Sequence, residues 1–208
     1  MFELFLQAFA ADADDNHHID ASLLTKLVER EFGVCVPSEI KEFWTKFGSG
    51  YFGNRMLYFF GDGAASESRD SLIEWNQKNF WPQVYPAPKD GGPVFFAETC
   101  FGDQLGFRWE GDNCLYILFC VDTFDAFVIA KSGTELFDQV LADRYSLVEG
   151  DRYDAVLNKL GPLQKGMHYA PFVSPMVGGT GDAENFCLES PNAHFRTAIA
   201  TYQALHAK

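Results

Sequence analysis

The sequence predicts an α+β fold: a twisted, mainly antiparallel sheet with helices packed on one side, plus a C-terminal helical arm. Three observations carry this expectation. The stretch Val94–Val121 reads as three consecutive strands broken at Thr99–Asp103 and Glu110–Asn113, where Gly, Asp and Asn make tight reversals easy. Amphipathic helical patterns precede it, with apolar residues recurring at i, i+3, i+4 and i+7. Beyond Tyr145 the pattern changes to helices separated by a long irregular segment. The boundary that follows is an α+β domain over residues 1–147 and an arm over residues 148–208 packed on it.

Phe2, Phe5, Leu6 and Phe9 fall at helical spacing, which predicts a short helix over Phe2–Ala10. Asp12–Asp20 (DADDNHHID) is expected as a linker, with Asp20 capping the next helix. Asp12, Asp14 and Asn16 imitate the start of a calcium loop. His17 stands where that loop needs glycine and Leu23 where it needs a bidentate Glu, so the match fails. Ala21–Phe32 is a helix with Leu23, Leu24, Leu27 and Val28 along its apolar side. Val36-Pro37-Ser38-Glu39 leads into a second helix with Ile40, Phe43, Trp44 and Phe47 on one stripe, closed by Gly48.

Gly48–Gly53 is expected as a glycine-aromatic loop, Met56–Phe60 as a strand, Asp62–Ser68 as a turn and Ser71–Asn79 as a helix. Trp81–Pro93, with Pro82, Pro86, Pro88 and Pro93, reads as an extended connection. In the meander, Val94–Ala97 is wholly apolar. Gln104–Trp109 alternates with Leu105, Phe107 and Trp109 on one face, and Cys114–Val121 is almost continuously apolar. Ala126–Ala130 is the closing strand, and Ser132-Gly133-Thr134-Glu135 is a capping box that starts a helix. Asp151–Leu160 is a helix stopped by Gly161-Pro162. Leu163–Asp182 is irregular, and Ser190-Pro191 opens a last helix through Phe195, Ala198, Ile199, Tyr202 and Leu205.

Composition narrows the function classes. The 208 residues suffice for a sizeable core, and an aromatic share of 16% with 21 Phe makes that core bulky. A net charge of −13 argues against nucleic-acid binding, which needs a phosphate-neutralising basic surface, and favours a basic partner. Five cysteines, odd in number and without a Cys-x-x-Cys pair, read as reduced thiols. The N-terminal stretch lacks the positive region of a signal peptide, and no apolar run approaches about 18 residues. The expectation is a cytoplasmic protein without a membrane partner.

No constellation carries a reaction. Gly178-Gly179-Thr180-Gly181-Asp182 lacks the Lys-Ser/Thr of a phosphate loop and reads as a tight turn. Cys187 and His194, seven residues apart on adjoining helical segments, need not face each other, and no nucleophile motif surrounds the cysteine. His17, His18, His168 and His206 lack the paired spacing of a helical metal site. Asp103, Glu110, Asp112, Asp122 and Asp125 fall on sheet turns. With Trp109 as an aromatic anchor they form an expected acidic partner-binding rim. Catalytic residues, cofactors and metals are expected to be none.

The order of these pieces resembles the SUKH superfamily, the fold of yeast cell-wall-assembly regulators and many bacterial toxin-immunity proteins. The similar residues are Val36-Pro37-Ser38-Glu39-Ile40-Lys41-Glu42-Phe43-Trp44, Phe95-Phe96-Ala97-Glu98 and Gly102-Asp103-Gln104-Leu105-Gly106-Phe107, with Val36 where the family has leucine. This resemblance spans Asp20–Asp143. In the arm, Leu160-Gly161-Pro162-Leu163, Met167-His168-Tyr169-Ala170-Pro171-Phe172-Val173, Gly178-Gly179 and Glu184-Asn185 are similar to immunity proteins paired with type VI secretion DNase effectors. His168 stands where that pattern has an acidic residue. Both resemblances imply a non-enzymatic immunity protein that neutralises a cognate, basic toxin, a nuclease among the candidates, by occluding its active surface. The alternative is an interaction scaffold in a regulatory assembly, as in the yeast relatives.

Overall fold

The computed structural model describes residues 1–63 and 70–207, and its centre is a seven-stranded antiparallel sheet whose strands pair in sequence order. The strands are β1 (Ala11–His17), β2 (Ser49–Phe52), β3 (Leu57–Phe59), β4 (Val94–Thr99), β5 (Gln104–Glu110), β6 (Asn113–Phe119) and β7 (Ala126–Ala130). The expected meander is β4–β6, and the α+β class holds. Every residue of β4 is buried, as expected of a strand covered on both faces.

The helices of the first half are α1 (Glu3–Ala8), α2 (Ala21–Phe32), α3 (Ser38–Phe47) and α4 (Leu72–Asn76). Asp20 caps α2 by accepting from the Leu23 amide at 2.9 Å. Leu24, Val28 and Phe32 form its buried side, while Leu23 turns half into solvent. Phe43 of α3 is the hub of one sheet face. Its ring stacks on Phe59 at 4.1 Å and on Phe137 at 5.3 Å, and Phe5 and Phe52 close around it. Ser132 caps α5 (Gly133–Glu135) by accepting from the Glu135 amide at 3.1 Å. The expected box is not closed, because the Glu135 carboxylate accepts from the Lys131 amide instead. The helix widens at once into a π turn, Leu136–Val140, that lays Leu136 and Phe137 in this layer.

The opposite face is covered differently. Ser71 and Glu74 form a full capping box on α4, which places Trp75 and Asn76 over the sheet. Asn76 grips β4: its Oδ1 accepts from the Phe95 amide and its Nδ2 donates to the Phe95 carbonyl, each at 2.8 Å. The proline-rich connection folds into two 3₁₀ turns, Trp81–Gln83 and Pro88–Asp90, and Trp81 packs on Phe95 at 4.5 Å. The arm completes this cover. It comprises α6 (Arg144–Leu147), α7 (Gly150–Leu160), the antiparallel pair β8 (His168–Pro171) and β9 (Phe186–Glu189), and α8 (Pro191–His206). Phe195 of α8 stacks on Phe80 and meets Trp75 and Trp81 edge-on, so the arm shares one continuous core with the sheet.

Four sequence expectations are corrected. Asp12–Asp20 is not a linker throughout, because Ala11–His17 forms an edge strand; the Asp12 carboxylate accepts from the Asn54 and Arg55 amides, and Asp15 pairs with Arg55 and Lys165. Gly48–Gly53 contains β2, where Gly50 lets β1 approach more closely than a Cβ would permit. The helix over Ser71–Asn79 ends at Asn76, and the irregular segment holds β8, with β9 paired to it from beyond its end. Most of the expected turn at Asp62–Ser68 lies outside the described residues. A register shift in the β6–β7 pairing, between Tyr116 and Ile117, marks a bulge in the last strand.

Phe43→Ala should lower the unfolding free energy by about 3–5 kcal/mol in denaturant titration, because the hub ring leaves a cavity between rigid neighbours. Asn76→Ala should cost about 2–4 kcal/mol by stranding the buried Phe95 amide and carbonyl, although it removes little apolar volume.

Candidate functional site

The six sequence-predicted partner residues divide between the two ends of the sheet, so they do not make one rim. β5 has seven residues, which separates the ends by roughly 20 Å. Trp109, Glu110 and Asp112 sit where β5 turns into β6. There the Trp109 indole donates to the Cys35 carbonyl at 2.8 Å, and Glu110 pairs with Arg108 at 2.6 Å. Trp109 is therefore committed to the connection between α2 and α3. Asp103, Asp122 and Asp125 sit at the other end, on the β4–β5 and β6–β7 turns.

Asp103 is turned inward rather than displayed. Its carboxylate accepts from the Val121 amide at 3.0 Å, and its own amide donates to Thr99 Oγ1 at 3.1 Å. Burial, reinforced by the negative charge of Asp122, pushes its pKa up to about 7. Asp125 is exposed, and the Asp122 side chain keeps 20% of its surface.

Beneath these turns lies a buried chain of polar groups that sequence reasoning missed. The Trp75 indole donates to Gln104 Oε1 at 2.6 Å, and Gln104 Nε2 donates to Glu98 Oε2 at 3.0 Å and to the Gly102 carbonyl at 2.8 Å. Glu98 Oε1 meets His168 Nε2 at 3.0 Å. His168 Nδ1 meets His194 Nδ1 at 3.2 Å, and His194 Nε2 faces Asp122 Oδ1 at 3.4 Å. Glu98 and His168 are each 1% exposed, and His194 is 3% exposed.

Each member has a structural reason for its position. Glu98 is registered between Tyr58 of β3 and Gln104 of β5. His168 opens β8, whose next residue donates its amide to the Cys100 carbonyl at 2.9 Å, and His194 rides the first turn of α8 behind the Ser190 cap. Gly102, at φ +91°, makes room for both rings: a Cβ there would stand 2.9 Å from His168 Nδ1 and 3.0 Å from His194 Nδ1. The signal available in the sequence was Glu98 itself, a carboxylate inside the apolar run VFFAETC, which must find a partner if buried.

This chain offers little to a substrate. A cleft of about 260 Å³ is lined by Phe32, Trp81, Tyr85 and Pro88, and none of the four charged or imidazole groups reaches it. Among the described residues no group of three His, Cys, Asp or Glu could hold a metal ion. Cys187 lies on the strand β9 rather than on the expected helical segment. Its Sγ rests against the Ala170 carbonyl at 3.5 Å, away from His194 Nδ1 and Nε2, which face His168 and Asp122. Burial raises its thiol pKa, the opposite of an activated nucleophile.

The outward-facing feature of the arm is the loop between β8 and β9. Phe172 is 70% exposed, Val177 53% and Val173 47%. Asn185 holds the loop shut: Oδ1 accepts from the Val173 amide at 2.9 Å, and Nδ2 donates to the Val173 and Thr180 carbonyls, each at 2.8 Å. Gly178 and Gly179 supply the turn, and a Cβ on Gly179 would overlap the Val173 carbonyl. The expected tight turn is present, and its product is a rigid apolar projection from the C-terminal arm.

Among the described residues no helix is long and apolar enough to cross a membrane. No family model matches the sequence, and no curated protein matches it. The fold is similar to the crystal structure of Atu4351 from Agrobacterium tumefaciens, at 15% identity, covering 96% of this chain and 88% of that one with a TM-score of 0.58.

Proposed function

We propose that this chain is a cytoplasmic immunity protein that binds a cognate toxin and blocks its active surface, without turnover and without a cofactor. The observation that carries the reading is the Asn185-clamped loop, which holds Phe172 at 70% exposure on a backbone already fixed by hydrogen bonds. Large apolar side chains on a rigid loop are unfavourably hydrated unless something covers them, and a pre-ordered anchor avoids an entropic cost on binding. The exposed Asp125 and the partly exposed Asp122 add negative charge from the turns of the sheet.

A net charge of −13 suits a partner with a basic cleft, and a nuclease has one. Its field would speed association and fix orientation, while the apolar anchor would set the lifetime of the complex. The resemblance of Asp20–Asp143 to the SUKH superfamily, and of the arm to immunity proteins of type VI secretion DNase effectors, supports the same reading.

Growth rescue on co-expression with secreted nuclease toxins from the same genome tests it. The wild type should restore growth. Phe172→Ala with Val173→Ser should weaken the complex about 30-fold or more and abolish rescue, with unfolding unchanged. Asp125→Lys should slow association, most at low salt. Full rescue by the folded double variant would remove the loop from the interface. A stable non-toxin partner, or catalytic turnover by the purified protein, would overturn the reading itself.

A further inference from the structure

The buried chain Glu98–His168–His194–Asp122 has a property that follows from counting. Its three contacts each need one proton between the two facing atoms. Two neutral imidazoles supply two such protons. The third contact therefore requires one further proton, wherever along the chain it resides. Two ionised carboxylates contribute −2 and the additional proton +1, so the four groups together carry −1.

The members come from separate parts of the fold. Glu98 belongs to β4 and Asp122 to the turn after β6, whereas His168 and His194 belong to the arm, on β8 and α8. We propose that this array is a one-proton latch that fastens the C-terminal arm to the sheet and loosens when that proton is lost. This inference does not depend on the immunity reading.

The surrounding titratable groups bring negative charge and a second titrating proton, on Asp103, but no cation to the site. From the β4–β5 turn, Cys100 is pushed far up by burial, and Asp103 is raised to about 7 by burial and by Asp122. Cys120, before the β6–β7 turn, is pushed up to about 12, first by burial. Glu149, ahead of α7, adds negative charge felt at Asp103. None of these is a cation that could replace the proton between the imidazoles.

The sign of the pH effect is fixed. An unfolded chain sheds its imidazole protons around pH 6.5, whereas the folded array keeps one. Stability and closure of the arm therefore decline as pH rises above about 6.5. Asp103 acts in the same direction, because a carboxyl raised in the fold loses its contribution as pH rises through its folded value.

Glu98→Gln separates the two effects. The oxygen of the introduced amide can still accept from Gln104, and its NH₂ can donate to His168 Nε2. Two neutral imidazoles then satisfy the remaining contacts, and no additional proton is needed. Hydrogen exchange of the β8 and α8 amides, corrected for intrinsic rates, would be followed from pH 6 to 9 in both proteins. Wild-type opening should steepen relative to Glu98→Gln by up to about tenfold per pH unit, and histidine ¹⁵N spectra should show one proton leaving the wild-type pair and none leaving the variant pair. If Glu98→Gln fails to fold, Asp122→Asn removes the same requirement from the partly exposed end. Parallel exchange profiles, or a divalent ion retained stoichiometrically by the purified wild type, would overturn the latch.

Discussion

A carboxylate placed in the most buried strand of the sheet sets the terms for everything around it. Taking an ion such as Glu98 out of water costs several kcal/mol unless partners with good geometry replace the solvent. Here one oxygen is met by Gln104, which is itself held by Trp75, and the other by His168. That demand explains why α4 lies where it does, why Gly102 is glycine, and why the arm returns to the sheet with a histidine at the first position of β8. The arm is thus selected by charge as well as by apolar contact. Removing one partner would leave the others desolvated and unpaired, so the arrangement specifies a single docking of the arm.

The second constraint is that the sheet centre needs cover on two sides. One side receives α1, α3 and the π turn after α5 through the rings around Phe43, and the other receives Trp75, Trp81 and Phe195. The high aromatic share of the composition goes into these two layers. Flat rings tile a twisted sheet with few voids, and their edge-to-face pairs add to the burial energy. The polar edges of the same residues are put to use, since the Trp75 and Trp81 indoles both donate inside the core.

Periodic and punctuated segments were legible in the sequence. Ala21–Phe32 emerges with the predicted bounds, Asp20 and Ser132 cap as their positions demand, and β4–β7 fall within a residue or two of their apolar runs. β1 was hidden because its residues are acidic and its pairing depends on Gly50, a tertiary contact rather than a local preference. β8 and β9 were hidden because four-residue strands lack enough alternation to declare a period. The candidate surface was read on turns, where polar residues are always present, and the structure scattered it: Asp103 points inward and Trp109 is tied to Cys35. The His168–His194 contact joins residues separated by 26 positions on different elements, and nothing in their spacing announces it.

The bulge in β7 has a consequence for how the chain survives at high concentration. Phe127 and Val128 are exposed on the final strand, whose outer edge has no strand partner among the described residues. A flat apolar margin of this kind would recruit identical molecules into growing fibrils. The extra residue breaks the straight hydrogen-bonding track that such recruitment needs. An offset of one residue thus guards this border of the sheet against edge-to-edge stacking.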